Sequence, residues 1–262
     1  MSASNPNEKA PLVRIMPCLD MQGGRVVKGV RFVEIKDAGD PVACCNAYCA
    51  AGADELAMLD ITATVENRGT LLAVVRAVAA EVTVPFTVGG GIRDVASAAA
   101  VLDAGAHKVS TSSAAFRNPE VIKEMVAEFG ADRITVAIDA AQNPAFPSGY
   151  EVYIDGGRTA AGMDAVEWAR RVDGFGVKVI LPTSKSTDGV RTGYDLPLIA
   201  KIKQAVAAEV VASGGAGTLE HFLEAARAGA TVLLAASVFH FNIISISGLK
   251  AYLNANGIRT LN

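Results

Sequence analysis

At 262 residues, 51% hydrophobic and 19% charged with 25 glycines, the chain is long enough for one large packed domain and too apolar to be disordered. A formal net charge of −3 gives no broad attraction for nucleic acid or anionic lipid, so any anion must be recognised locally and the partner is expected to be small. The four cysteines, three of them crowded at Cys44, Cys45 and Cys49, are not spaced as a disulfide framework, and without a CxxC motif or a nearby histidine they do not read as a zinc site.

Residues 1–11 are polar and lack the apolar run of a signal peptide, and no stretch approaches the ~20 apolar residues of a membrane span. They read as a flexible tail ahead of one domain over 12–262, in a reducing cytoplasm. From there short β-branched runs alternate with longer amphipathic segments. Strands are predicted at 14–20, 55–61, 85–89, 108–112, 134–139, 178–183, 209–213 and 231–236. Helices are predicted at 42–51, 70–80, 95–104, 119–129, 163–172, 197–207, 218–228 and 247–256. Eight βα units without a linker predict a single closed (β/α)8 TIM barrel rather than an open doubly wound sheet. Two connections are long, 23–40 after the first strand and 140–162 after the fifth. Within them, 25–29 with 30–35, and 150–154 ahead of Asp155-Gly-Gly157, read as hairpins.

A weak internal repeat supports a barrel built from two half-barrels. Gly90-Gly91 is matched by Gly214-Gly215, and Ser113 by Ser237, each displaced by the same 124 positions.

Barrel active sites form at the carboxyl ends of the strands. Asp20 and Asp139 are expected to end the first and fifth strands, on opposite sides of the ring. Two carboxyl groups across a partly dry mouth can hold different proton affinities and act as acid and base. The bland alternative is that each caps a loop or pairs with a local cation such as Lys28. Four small-residue turns complete the picture: Thr87-Val-Gly-Gly-Gly91, Ser110-Thr-Ser-Ser-Ala114, Ser213-Gly-Gly-Ala-Gly217 and Ala235-Ala-Ser237. Small residues let backbone N–H groups approach an anion, and a following helix adds its positive end. The pairing of these turns predicts two phosphate cradles. One contains Gly90, Gly91, Ser112 and Ser113. The other contains Ser213, Gly214, Gly215, Ala236 and Ser237, with Thr183, Asp188 and Gly189 at its edge. A substrate phosphorylated at both ends follows. No Ser/His/Asp triad, GxGxxG or GxxxxGK[ST] motif is present. Trp168 reads as core, and His240, between Phe239 and Phe241, as packed.

Met16-Pro-Cys-Leu-Asp20, Gly24-Arg-Val-Val-Lys-Gly29, Leu59-Asp-Ile-Thr62, Thr87-Val-Gly-Gly-Gly-Ile92, Val136-Ala-Ile-Asp139, Ser213-Gly-Gly-Ala-Gly217 and Ala235-Ala-Ser-Val-Phe-His-Phe241 resemble the cyclase family of imidazole glycerol phosphate synthase. The sister isomerase barrels of histidine biosynthesis fit the first-strand and last-loop motifs less well. The resemblance implies a cyclase in which ammonia from a glutaminase subunit, docked at the amino-terminal face as a heterodimer, attacks a bis-phosphorylated formimino-ribonucleotide. The products would be imidazole glycerol phosphate and aminoimidazole carboxamide ribonucleotide. Asp20 and Asp139 would be the acid/base pair, Lys28 a lysine over the substrate, and Arg14, Glu55 and Lys108 part of a charged gate for ammonia. No metal or organic cofactor is implied.

The chain departs from the family pattern around its sixth strand, where Pro182, Lys185, Ser186 and Val190 stand in Lys178-Val-Ile-Leu-Pro-Thr-Ser-Lys-Ser-Thr-Asp-Gly-Val190. Lys185 reads as a solvated loop cation or as a new group in the pocket. The fourth gate position, usually glutamate, is Val179, which leaves a gate cation short of a partner unless another group compensates. Ser112 replaces a usual asparagine, and His107 a common aspartate near the partner face. Two readings follow: a working cyclase, or a diverged barrel that binds a phosphorylated ligand without catalysing this closure.

Overall fold

The structure, a computed structural model, describes residues 12–30, 33–63, 66 and 69–261, and of residues 28–30 and 33–36 only the backbone. The anticipated tail, 1–11, lies outside the described residues. The chain opens with β1 (Leu12–Gln22), β2 (Arg25–Val30), β3 (Val33–Gly39), α1 (Pro41–Ala50), β4 (Leu56–Asp60), α2 (Leu72–Ala79) and β5 (Phe86–Gly89). It continues with α3 (Val95–Asp103), β6 (Lys108–Thr111), α4 (Ser113–Arg117), α5 (Glu120–Phe129), β7 (Ile134–Gln142), β8 (Tyr150–Ile154), β9 (Thr159–Asp164) and α6 (Ala165–Gly174). The last part is β10 (Val179–Ser184), α7 (Leu196–Ala205), β11 (Glu209–Ala212), α8 (Leu219–Arg227), β12 (Val232–Ala235), α9 (Ser237–His240), α10 (Ile246–Ala255) and β13 (Arg259–Thr260).

All eight expected barrel strands form. β1, β4, β5, β6, β7, β10, β11 and β12 pair in parallel in that order, β12 returns to β1, and the β7–β10 pairing completes the ring. The fold is a (β/α)8 barrel. Helix starts follow from their caps. Asp40 accepts from the N–H of Ala43, Asp164 from those of Val166 and Glu167, and Asp195 from that of Leu198.

The half-barrel repeat is structural. α3, β6 and α4 have their counterparts in α8, β12 and α9, again 124 positions on, and the capping box at Asp94 and Ser97 recurs at Thr218 and His221.

Three features depart from the sequence reading. Neither aspartate ends its strand. β1 runs on to Gln22 because it pairs antiparallel with β2, and β7 runs on to Gln142 because it pairs with β8. Short helices α4 and α9, too brief to have a visible periodicity, follow the fourth and eighth barrel strands directly. Pro182 is accommodated inside β10. Pairing with β7 is continuous from Val179 to Ser184, through Pro182 opposite Ile138. Pairing with β11 covers only Val179 and Ile180, then resumes as one bridge between Thr183 and Ser213. The residue without an N–H donor thus sits where the β11 ladder is broken.

The strand alternation divides the core in two. Met16, Cys18, Ala57, Val179, Leu181, Val211, Val232 and Leu234 pack together inside the barrel, while outward residues such as Ile15, Leu19, Val88 and Ile138 meet the helices. Trp168, fully buried on α6, packs edge-on against Phe116 with ring centroids 5.1 Å apart. Trp168→Ala is expected to lower the stability to chemical denaturation, followed by circular dichroism, by about 3–5 kcal/mol.

Candidate active site

The period of two that fills the barrel also aims its end residues inward. Along β1 the file Arg14, Met16, Cys18, Asp20 faces the axis, and along β7 the file Thr135, Ala137, Asp139 does the same. At the carboxyl ends these files open into a cavity of about 580 Å³ whose walls include Asp20 and Asp139.

Asp20 lies between β4, where it is in register with Leu59, and β2, where it faces Val27, and its Oδ1 accepts from Cys18 Sγ at 3.6 Å. Asp139 lies between β10, in register with Thr183, and β8, facing Tyr153. It keeps a small part of its surface open to the cavity but is otherwise enclosed. Burial pushes its carboxyl up to about 6, against the opposing pull of the Lys185 cation. A carboxyl that exchanges its proton near neutrality is suited to general acid/base work.

The expected anion-binding turns are brought together on the same walls. Gly90, Gly91, Ser112 and Ser113 lie on one side, and Ser213, Gly214, Gly215, Ala236 and Ser237 on the other, with Thr183, Asp188 and Gly189 between. Two of the glycines are required on steric grounds as well. Gly90 has φ +93° and Gly215 φ +109°, and a Cβ on either would collide with a backbone carbonyl, that of Asp60 or of Gly193. α4 and α9 start at the two cradles. Lys28 lies in β2, its backbone in register with Lys36, and its side chain lies outside the described residues.

Sequence reasoning missed the arginines. Arg93, Arg117, Arg158 and Arg191 line the cavity with Asp155. Arg191 Nε donates to Ser237 Oγ at 3.0 Å, beside the second cradle. Arg117 reaches both carboxylate oxygens of Asp155 at 2.7 Å, and the Asp155 N–H donates to Ser113 Oγ at 2.8 Å, so the β8–β9 turn is braced on the first cradle. Their position just beyond barrel-strand ends was the available signal. Among the described residues, no three His, Cys, Asp or Glu side chains group as a metal site.

At the opposite end of the barrel lies an ionic cluster. Glu55, almost fully buried, forms ion pairs with Arg14, whose Nε is 2.5 Å away, and with Lys108 Nζ at 3.1 Å. The carboxylate missing at Val179 is supplied by Glu209, its register partner on β11, which takes Arg14 Nη1 and Nη2 at 3.2 and 2.6 Å. The expected shortfall therefore does not arise: a carboxylate on the neighbouring strand compensates, and the pair is fork to fork. A cleft of about 420 Å³, lined by Lys108, Val179 and Glu209, opens beside it. Lys185 is not a solvated loop cation either. It is partly buried, its Nζ 3.7 Å from the centroid of the Tyr153 ring. His240 is packed as expected, with Nδ1 3.4 Å from Tyr48 Oη and its ring edge-on to Phe241.

The model of the histidine biosynthesis protein family matches residues 14–245. The chain belongs to the histidine biosynthesis proteins. It is a barrel enzyme of that family, and the matched span runs from the ionic cluster at Arg14 past both cradles.

Two outcomes test this geometry. The folded-state proton affinity of Asp139 exceeds the unfolded one, so its contribution to stability is fully present below about pH 4 and is lost as pH rises through about 6. Asp139→Asn does not titrate. It should be more stable than wild type at pH 7.5, by on the order of 2–3 kcal/mol, and the gap should close near pH 4 in urea melts. At the other end, Glu209→Val should destabilise by about 1 kcal/mol, since the pair is part-exposed, and adding Val179→Glu should restore most of the loss in a double-mutant cycle.

Proposed function

We propose that the chain is the cyclase of this family. Ammonia released by a glutaminase partner at the amino-terminal mouth would react with a bis-phosphorylated formimino-aminoimidazole carboxamide ribonucleotide in its phosphoribulosyl form. The products are imidazole glycerol phosphate and aminoimidazole carboxamide ribonucleotide.

The observation that carries the reading is the ionic cluster of Arg14, Glu55, Lys108 and Glu209 at the end of the barrel remote from the cavity. An isomerase rearranges one substrate and needs no second reactant. A cyclase needs a small nucleophile, and a barrel whose far mouth is lined by ion pairs rather than by apolar side chains suits its delivery. The first-strand motif Met16-Pro-Cys-Leu-Asp20 with Gly24-Arg-Val-Val-Lys-Gly29 points the same way.

In this reading the cradle of Gly90, Gly91, Ser112 and Ser113 holds one phosphate. That of Ser213, Gly214, Gly215, Ala236 and Ser237 holds the other, helped by the Arg191 cation, with the Asp188-Gly189 turn at its edge. The sugar and base then span the mouth between Asp20 and Asp139, with Lys28 above them. Attack by ammonia leaves a proton to be removed from the new nitrogen, and expulsion of the ribonucleotide amine needs one supplied. Two carboxyl groups in different surroundings can serve both needs.

Purified protein supplied with the bis-phosphorylated substrate and free ammonium salt should release the aminoimidazole ribonucleotide. Asp139→Asn should lower that rate by about 10²-fold or more while remaining folded. Ammonium-independent isomerisation of the substrate's phosphoribosyl precursor would place the chain with the isomerases instead. Substrate binding without either reaction would favour a diverged, inactive barrel.

A further inference from the structure

Lys185 is the feature of the site for which the proposed reaction has no use. It does not line the cavity, yet three elements hold it beside Asp139. Its backbone N–H donates to the carbonyl of Ala140, the residue after Asp139, at 2.9 Å. Its ammonium sits over the ring of Tyr153, the cross-strand partner of Asp139 on β8. Its aliphatic stem passes under the β8–β9 turn, where a Cβ on Gly157 would stand 3.6 Å from it.

We infer that Lys185 is a positioning cation for Asp139: fixed by the Tyr153 ring and the Ala140 carbonyl, it keeps the carboxylate form of Asp139 accessible in an otherwise dry wall. The inference rests on the proposed acid/base role of Asp139 only for its catalytic consequence.

The cation acts against burial, which by itself favours the neutral acid. Two other ionisable groups near this wall are engaged elsewhere. Asp155 is held by Arg117, and Asp195 accepts from Tyr150 Oη, Ser184 Oγ and the Leu198 N–H. Arg158 and Asp188 line the cavity on the loops beyond Asp139, and Asp20 stands across it on β1. β6 ends at Thr111, level with Val136, and so brings no charged side chain to the level of Asp139. Ser186, next in the loop, is uncharged and lies 3.0 Å from Ser184 Oγ.

The test is the titration of the Asp139 carboxyl itself, followed by carbon-13 NMR of aspartate-labelled full-length protein and assigned by its loss in Asp139→Asn. Wild type should titrate near about 6. Lys185→Gln should raise that midpoint by about one pH unit, and Lys185→Arg should leave it within about 0.3. Tyr153→Leu, which unseats the ammonium, should raise it by less. The limb of the pH–rate profile that follows Asp139 should move with it, which a merely structural role would not produce. An unchanged midpoint in folded Lys185→Gln overturns the inference. If the midpoint moves but wild type shows no ammonium-dependent turnover, the cyclase reading fails and the positioning role stands.

Discussion

The seam between β7 and β10 is the constraint on which the rest depends. Without it the strands would form an open twisted sheet; with it they form a barrel, and the cavity has a floor and two walls. The seam tolerates a proline because six consecutive register pairs bind β10 to β7, while the interruption falls on the β11 side. It also sets the surroundings of Asp139, since Thr183 is brought level with it and the ladder carries on until the Lys185 N–H bonds the Ala140 carbonyl.

Barrel closure couples the two ends of the molecule through the pleat. Arg14 and Asp20 occupy the same inward file of one strand, separated by Met16 and Cys18, and Glu209 and Ser213 are separated in the same way by Val211. The middle of each file is apolar and close-packed, so charges are confined to the two mouths. A single-residue slip of any strand would reverse the file and put its charged ends among the helices. That alternation explains how a carboxylate lost from β10 can be replaced from β11. Positions level in adjacent strands look onto the same axis, and Arg14 is long enough to reach either.

Local periodicity made the strands and helices legible, because each βα unit buries its own faces by a rule that neighbours along the chain enforce. The glycine turns were legible for a similar reason: their positive φ and close backbone contacts admit little else. What could not be read were the features decided by distant partners. The extensions of β1 and β7 exist because hairpins return to pair with them, and nothing in Met21-Gln22 or Ala140-Ala141-Gln142 announces that. Arg117 and Arg191 look like ordinary surface cations until the barrel turns their loops inward. Glu209 reads as the polar start of a strand, and its partner Arg14 lies 195 residues away along the chain. Lys185 was ambiguous because its setting is supplied by Tyr153 on another strand.

The repeat makes the cradles alike and leaves the aspartates different, and that difference has a use. Two half-barrels in perfect correspondence would present equivalent carboxyl groups, poorly suited to a reaction in which one proton must be taken and another given. α3, β6 and α4 keep their correspondence with α8, β12 and α9, so the small-residue turns on the two sides of the cavity stay alike. The symmetry is broken at β1 and β7. Asp20 faces the hairpin strand β2 and the Cys18 thiol, whereas Asp139 faces the aromatic strand β8 and a lysine from the β10 loop. The loops that differ between the halves are thus the ones that touch the carboxyl groups, and the parts that remain alike are the ones that form the two small-residue turns.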